Sequence, residues 1–155
     1  MTYREWEVSV SESIQGDPLW TVEAYRLALF AWELFWRDRD RLKREKLYDL
    51  LDQMARATGG ISAQIAEGYS RGTGKDRARF YEYALGSGRE SRDGYFKSRH
   101  LFGPEVTENR LQLHTRIIRL LMTMVPQQRS ECVQEPLAEY GQNPQEALLN
   151  QEVPF

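Results

Sequence analysis

The chain has few of the residues on which disulfides, metal sites and membrane segments depend. Its 155 residues include one cysteine, Cys132, so no disulfide can form within the chain. The two histidines are far apart in the sequence, and no glutamate forms the Glu-x-x-His pair of di-iron helical bundles. We therefore expect no metal and no other cofactor. No apolar run approaches the roughly 20 residues of a membrane helix, and the N-terminus lacks the apolar core of a signal peptide, so we expect a cytoplasmic protein.

The patterns of nucleophilic catalysis are also missing. The sequence contains no serine at a strand-to-helix elbow and no cysteine placed beside a histidine. Gly72-Thr73-Gly74-Lys75 is similar to part of a phosphate-binding loop, but it lacks the GxxxxGKS or GxxxxGKT spacing and the preceding strand. These observations indicate a protein that is not an enzyme.

Charge is distributed unevenly along the chain, although the net charge is only −2. Residues 1–18 contain one basic and four acidic residues, and residues 126–155 contain one basic and five acidic residues. The 19 basic and 14 acidic residues between them make the body of the chain mildly basic. Such a body permits a polyanionic partner but does not require one.

Apolar residues recur at spacings of three and four in four segments, which predicts four helices. Gly59-Gly60 interrupts the second segment, where we expect either a bend or a very close helix contact. Thr73 and Asp76 resemble a capping box at the start of the third. The predicted helices begin at Asp17-Pro18, near Glu45, at Thr73 and at Gly103-Pro104, and the last two end near Phe102 and at Pro126.

Four helices with short connections predict an all-α fold, an antiparallel up-down-up-down four-helix bundle over residues 18–125. Residues 1–17 are expected to form an extended N-terminal arm, in which Trp6, Val8 and Val10 alternate with polar residues and could pack as a strand-like segment on a neighbour. Residues 126–155 are rich in Pro, Gln and Glu, so we expect a loosely ordered acidic tail, with a short helix possible at 144–150.

A basic set surrounds the turn at residues 70–74 and continues along the third predicted helix, with aromatic residues interleaved. Arg89, Arg92 and Arg99 have the spacing of one helical face. Such a face can neutralise phosphates while the aromatic rings stack on unpaired bases. The alternative is a solvated surface that Glu82, Glu90 and Asp93 balance locally. The candidate nucleic-acid or partner-binding residues are Arg71, Lys75, Arg77, Arg79, Arg89, Arg92 and Arg99.

Two glutamates, Glu67 and Glu90, lie among small residues that allow close helix approach, so both are expected to be partly buried. A buried carboxylate persists when it is paired, and the two would then fix the helix packing. The alternative is a carboxylate pair for acid–base catalysis. The predicted helix-packing residues are Glu67, Gly68, Gly86, Ser87 and Glu90.

Two motifs separated by the turn at residues 70–74 match a known family in order and spacing. The matching positions are Asp52-Gln53, Ile61, Ile65-Ala66-Glu67-Gly68 and Ala84-x-Gly86-Ser87-x-x-Glu90. On these positions the chain resembles, over about residues 19–125, the 23S rRNA intervening-sequence protein family. Gly88 and Ser91 stand where leucines are common in that family, so the third helix is unusually polar.

The resemblance implies a four-helix bundle that assembles into a ring-like homopentamer. A related branch, the accessory variability proteins of diversity-generating retroelements, binds a reverse transcriptase and nucleic acid, but those proteins are typically strongly basic.

The sequence leaves two main hypotheses for function, and a third, an enzyme, would need Glu67 and Glu90 close together and unpaired in a pocket. The first is a non-enzymatic homo-oligomeric accessory protein that binds RNA or DNA, or a nucleic-acid-processing partner such as a reverse transcriptase. The second is a structural adaptor that recruits a protein partner without touching nucleic acid. Self-association is expected in either case, because four tryptophans and two flanking arms give more apolar surface than a bundle core of this length requires.

Overall fold

The computed structural model describes residues 1–129 and 151–155, and every regular element in those residues is helical, which confirms the predicted all-α class. Four long helices make up most of the chain, and short helices flank them. The elements are α1 (Tyr3–Ser9), α2 (Glu12–Gln15), a 3-10 turn (Pro18–Thr21), α3 (Glu23–Arg44), α4 (Tyr48–Tyr69), α5 (Gly74–Lys97), α6 (Arg99–Phe102) and α7 (Pro104–Arg129).

Each long helix packs on two others. Helix α4 lies against α3 and α5, and α7 lies against α5 and α3, so the four form a closed set of neighbours around the core. Contacts between α4 and α5 run in opposite order along the chain: Gly68 faces Tyr81, whereas Met54 faces Gly94. These two helices are therefore antiparallel, as their four-residue connection requires.

The core consists of two apolar clusters stacked along the long helices. Leu27, Leu34, Ile65 and Ile117 are fully buried in the larger cluster, which also takes in the aromatic residues of α1. Phe35 anchors the smaller cluster at the end where α3 meets α4. Burying a side chain of this size stabilises the fold by about 1.5–3 kcal/mol, so the repeating apolar positions, rather than helix propensity, hold the helices together.

The prediction of an extended N-terminal arm is wrong, because residues 3–15 contain two helices. Thr2 and Glu5 form a capping box in which each side chain accepts a hydrogen bond from the other residue's N–H. Tyr3 and Trp6 then share one helical face and pack on Phe30 of α3. The alternation of Trp6 and Val8 was misleading, since Val8 is 84% exposed while Trp6 is buried.

Several helix ends also differ from the sequence prediction. The second long helix begins at Tyr48 rather than near Glu45, because Lys46 adopts a left-handed φ of 57° that separates α4 from α3. The third ends at Lys97, where the Ser98 hydroxyl turns back to the Gly94 carbonyl. The fourth continues through Pro126 to Arg129. A proline in the last turn removes only one helical hydrogen bond, which α7 tolerates.

Gly59 and Gly60 lie inside the uninterrupted helix α4, and they provide the close contact that was one of the two alternatives predicted for them. A Cβ at Gly59 would stand 3.2 Å from the Trp32 ring, and one at Gly60 would stand 3.0 Å from the Ser87 hydroxyl. The pair of glycines thus lets α4 approach α3 and α5 at the same level.

Part of the predicted tail is described, at Gln151–Phe155, where Val153 is buried and its N–H donates to the Met1 carbonyl at 3.2 Å. The short helix predicted at 144–150 lies outside the described residues. None of the described helices is long and apolar enough to span a membrane.

Candidate nucleic-acid interface

Three contacts fix the connection between α4 and α5. Thr73 caps α5, since its Oγ1 accepts from the Asp76 N–H at 3.2 Å and donates to the Asp76 carboxylate at 3.0 Å. Arg77 donates from Nε to the Arg71 carbonyl at 2.8 Å, which closes the turn. Gly74 lies directly against the Gln128 carbonyl of α7, with no room for a Cβ. The turn is therefore a fixed platform for the basic side chains around it.

Two of the predicted cations lie on aromatic rings at this platform. The Arg71 guanidinium lies 4.5 Å from the centre of the Phe80 ring and also pairs with Glu67. Arg79 is exposed and donates to the Tyr83 hydroxyl at 2.8 Å, and this hydrogen bond raises the pKa of Arg79 above its usual value. The platform therefore combines guanidinium groups with aromatic side chains, the two kinds of group on which unpaired bases stack.

Positive charge is concentrated at this end of α5. Residues 70–79 contain four basic side chains and one carboxylate, that of Asp76, which is engaged in the helix cap. Lys75 is exposed on the surface. The N-terminus of the 24-residue helix adds its partial positive charge at the same place. We call residues 70–80 the basic turn.

The remaining predicted cations do not extend the basic turn. Arg89 is exposed on α5, whereas Arg92 is half-buried and donates to Thr115 of α7 at 3.2 Å. Arg99 lies in α6, beyond the end of α5, and its guanidinium lies 4.4 Å from the Phe96 ring. The prediction that Arg89, Arg92 and Arg99 share one helical face is wrong, because α5 ends at Lys97.

Two carboxylates of α5 pair with cations other than the candidate arginines. Glu82 forms an ion pair with Arg129 of α7, and Asp93 forms one with Lys97 at 2.6 Å. Glu90 accepts a hydrogen bond from Gln53 of α4 at 3.1 Å. The middle of α5 is therefore a mixed-charge surface. The basic turn, where Glu67 pairs with Arg71, retains the exposed cations Lys75 and Arg79.

The five residues predicted to pack the helices behave differently from one another. Gly68 packs as predicted, since a Cβ there would stand 2.8 Å from Tyr81, and Ser87 meets Gly60. A Cβ at Gly86 would meet no described atom within 4 Å, so Gly86 does not bring the two helices together. Glu67 and Glu90 are exposed, and the expectation that they are partly buried is wrong. Their hydrogen bonds lie at the protein surface.

The sequence analysis missed a buried polar network that runs between the long helices. Arg110 of α7 and Asp38 of α3 form a two-point ion pair, with Nε to Oδ2 at 2.7 Å and Nη2 to Oδ1 at 3.1 Å. The Tyr95 hydroxyl donates to the same carboxylate at 3.0 Å. Burial is the main cause of a raised pKa for Tyr95, and neighbouring Asp38 adds to it.

A chain of hydrogen bonds with a defined direction lies beside the ion pair. His114 Nδ1 is 2.8 Å from the Arg110 carbonyl, which can only accept, so Nδ1 carries the proton. Nε2 therefore accepts from Ser91 at 2.8 Å, and Ser91 in turn accepts from Thr58 at 2.7 Å. Burial lowers the pKa of His114 from 6.5 to about 4, which keeps the ring neutral at pH 7.

The sequence contained one indication of the buried polar network, namely charged residues at apolar positions of two helices. Asp38 lies four residues before Leu42, and Arg110 lies three residues before Leu113, so both charged residues fall within the apolar stripes of their helices. Ser91 is a polar residue among the buried positions of α5, and it joins Thr58 to His114. The network connects α3, α4, α5 and α7, and its groups satisfy one another; we assign it to packing rather than to catalysis.

Comparisons with known proteins give one match. No curated protein and no solved structure is significantly similar to this chain. The family model of the 23S rRNA-intervening sequence protein matches residues 21–123. That range contains α3, α4, α5 and most of α7, together with the basic turn and the buried network. The chain belongs to the 23S rRNA-intervening sequence protein family.

Proposed function

We propose that this chain is a non-enzymatic accessory protein that binds nucleic acid through the basic turn. The observation that carries the proposal is the set of four cations at residues 70–79, of which Arg71 is paired with Glu67 while Lys75 and Arg79 are exposed. A rigid turn holds these cations in place, so little conformational entropy is lost when they meet phosphates. The family's name refers to a ribosomal RNA insertion, which makes RNA the first ligand to test.

Single-stranded segments fit the basic turn better than a duplex does. The Arg71 guanidinium lies over Phe80, Arg79 lies at the hydroxyl edge of Tyr83, and the Tyr83 ring is 45% exposed. Unpaired bases can stack on such groups while phosphates meet Lys75. Arg77 holds the turn closed through the Arg71 carbonyl, so its role is to position the others.

The test measures binding of the full chain to a structured RNA and to single-stranded DNA over a series of salt concentrations. The double variant Lys75→Ala/Arg79→Ala removes two exposed cations of the basic turn. The control Lys43→Ala/Arg44→Ala removes the same charge from the end of α3, about 33 Å away along the 22 residues of α4.

The slope of log K against log salt is negative, and each phosphate of a single strand that a cation neutralises adds about 0.7 to its magnitude. The basic-turn variant loses two cations, so the magnitude of its slope should be smaller by about 1.4. The control should keep the slope of the wild type. Absence of binding at low salt, or an equal decrease of the slope in the two variants, would contradict the proposal.

We further propose that the four long helices form an up-down-up-down bundle and that several copies associate, with the homopentamer of the family resemblance as the expected assembly. Large aromatic side chains on three helices support association: Trp36, Tyr48 and Phe96 are 50%, 58% and 52% exposed. Light scattering on the full chain measures the assembly directly. A monomer at micromolar concentration would contradict association.

The second candidate is an adaptor that recruits a protein without contacting nucleic acid. The pairing of Glu82 with Arg129 and of Asp93 with Lys97 supports it, because these pairs cancel much of the charge along α5. A complex with a nucleic-acid-processing partner such as a reverse transcriptase separates the two candidates. Survival of that complex after nuclease treatment, and in Lys75→Ala/Arg79→Ala, favours the adaptor.

A further inference from the structure

The last described segment, Gln151–Phe155, lies over the buried ion pair in a groove between α3 and α7. Three consecutive residues are each held in a different way. Val153 is 7% exposed within the core cluster, the Pro154 carbonyl accepts from Arg110 Nη2 at 3.1 Å, and the Phe155 ring lies 5.1 Å from the Arg37 guanidinium. A segment held at its main chain and at two side chains resembles a bound peptide more than a packed loop.

Arg110 supplies the strongest reason to regard the groove as a binding site. Its side chain is fully buried, and Asp38 and Asn109 accept three of its hydrogen bonds. The Pro154 carbonyl accepts a fourth from Nη2. Without the segment, Arg110 Nη2 would keep only its hydrogen bond to Asp38. The Asp38 carboxylate already accepts from Arg110 Nε and from the Tyr95 hydroxyl, so it cannot replace the lost acceptor. The ion pair of α3 and α7 is thus completed by a carbonyl from the tail.

The segment is buried at Val153 and exposed at Phe155, so it can begin to separate from the Phe155 end. Phe155 is 50% exposed and lies beside an open space of about 420 Å³ lined by Arg37, Asp38, Asp40, Arg41 and Arg44. The ring lies at the edge of this space, 5.1 Å from the Arg37 guanidinium and 5.6 Å from that of Arg110. Pro154 restricts the main chain to an extended form, which lowers the entropic cost of binding.

We propose that this groove is a docking site for an extended Val-Pro-Phe segment, and that the segment of a second copy binds there as the chain's own segment does. Residues 130–150 join Arg129 to Gln151, and 21 residues can span at most about 70 Å. The groove at Arg110 is 19 residues, or about 28 Å, back along α7. The connection therefore reaches the chain's own groove with length to spare, which allows exchange between copies.

The test uses a labelled peptide, Gln-Glu-Val-Pro-Phe, added to the full chain and followed by fluorescence anisotropy. In the wild type the tethered segment competes at an effective concentration of the order of millimolar. In Phe155→Ala the tethered segment lacks its aromatic ring, so the peptide should bind with an apparent Kd at least about tenfold lower than in the wild type. Because Phe155 is half exposed, this variant keeps the core intact.

Site variants in the Phe155→Ala background then locate the bound peptide. Arg37→Ala removes a guanidinium that lies on the Phe155 ring and should weaken peptide binding about two- to fivefold. Arg44→Ala removes a cation that lines the same space and should leave peptide binding unchanged. Equal affinity of the wild type and Phe155→Ala for the peptide, no binding to either, or equal weakening by the two arginine variants would overturn the proposal.

Discussion

Arg110 and Asp38 hold α7 to α3 by a buried ion pair, with 0% and 4% of their side chains exposed. A buried pair adds little net stability compared with apolar residues of the same size, but removing one partner leaves a charge uncompensated. Asp38→Ala should therefore lower the free energy of unfolding by about 3–5 kcal/mol. Denaturant titration measures the decrease.

Two further variants check the cause of this decrease. Asp40→Ala removes a neighbouring carboxylate that is 70% exposed and should change the free energy of unfolding by no more than about 0.5 kcal/mol. The double variant Asp38→Leu/Arg110→Met replaces the pair by apolar residues and should recover most of the stability that Asp38→Ala removes. A double variant as unstable as Asp38→Ala would show that the carboxylate has a role besides pairing.

Stability should fall as the pH is lowered from about 6.5 towards 4, because of His114. Its pKa is about 4 in the folded chain and 6.5 when exposed, so the unfolded state binds the proton first and protonation favours unfolding. The full difference corresponds to about 3 kcal/mol. His114→Gln should remove the part of the pH dependence between pH 6.5 and 5, whereas His100→Gln, at an exposed residue, should retain it.

Gly68 and Gly86 occupy the two family motifs, yet alanine should have opposite effects at these positions. Gly68→Ala places a Cβ within 2.9 Å of both Phe80 and Tyr81 and should destabilise the chain by about 1–3 kcal/mol. Gly86→Ala meets open space on an exposed helical face and should stabilise it by about 0.5–1 kcal/mol. Thermal unfolding of both variants distinguishes a packing glycine from a tolerated one; destabilisation by Gly86→Ala would reveal a contact with another molecule.

Gly74→Ala should disturb the basic turn, since a Cβ there would overlap the Gln128 carbonyl of α7. A main-chain atom cannot move aside cheaply, so we expect a destabilisation of about 1–3 kcal/mol and weaker nucleic-acid binding. Gly72→Ala is the matched control, because a Cβ at Gly72 meets no described atom within 4 Å. Equal stability of the two variants would contradict the close contact between the turn and α7.

Helical periodicity was enough to predict the four long helices, because their apolar positions repeat at spacings of three and four. It failed at α1, where the Thr2–Glu5 capping box and the Tyr3–Trp6 face outweighed a short alternation of apolar residues. It also failed at Pro126, whose position in the final turn makes it harmless.

The sequence predicted which basic residues belong to the candidate site, but not how they are arranged. The sequence identified the cations of the basic turn, but not that Arg77 is used to close it or that Arg99 belongs to another helix. The buried network was not predictable because its members come from four helices, and no local pattern shows that Asp38, Arg110 and His114 meet. Charged residues inside apolar stripes were the available signal.

Ultraviolet crosslinking of the full chain to an oligouridine, followed by mass spectrometry, tests nucleic-acid binding by the basic turn most directly. In the proposed complex, bases lie beside the Arg71–Phe80 pair and the exposed Tyr83 ring, so crosslinked peptides should contain one or both of these aromatic residues. Lys75→Ala/Arg79→Ala should reduce their yield. Crosslinks confined to Trp36 and Tyr48, at the other end of α4, would contradict the basic turn as the nucleic-acid interface.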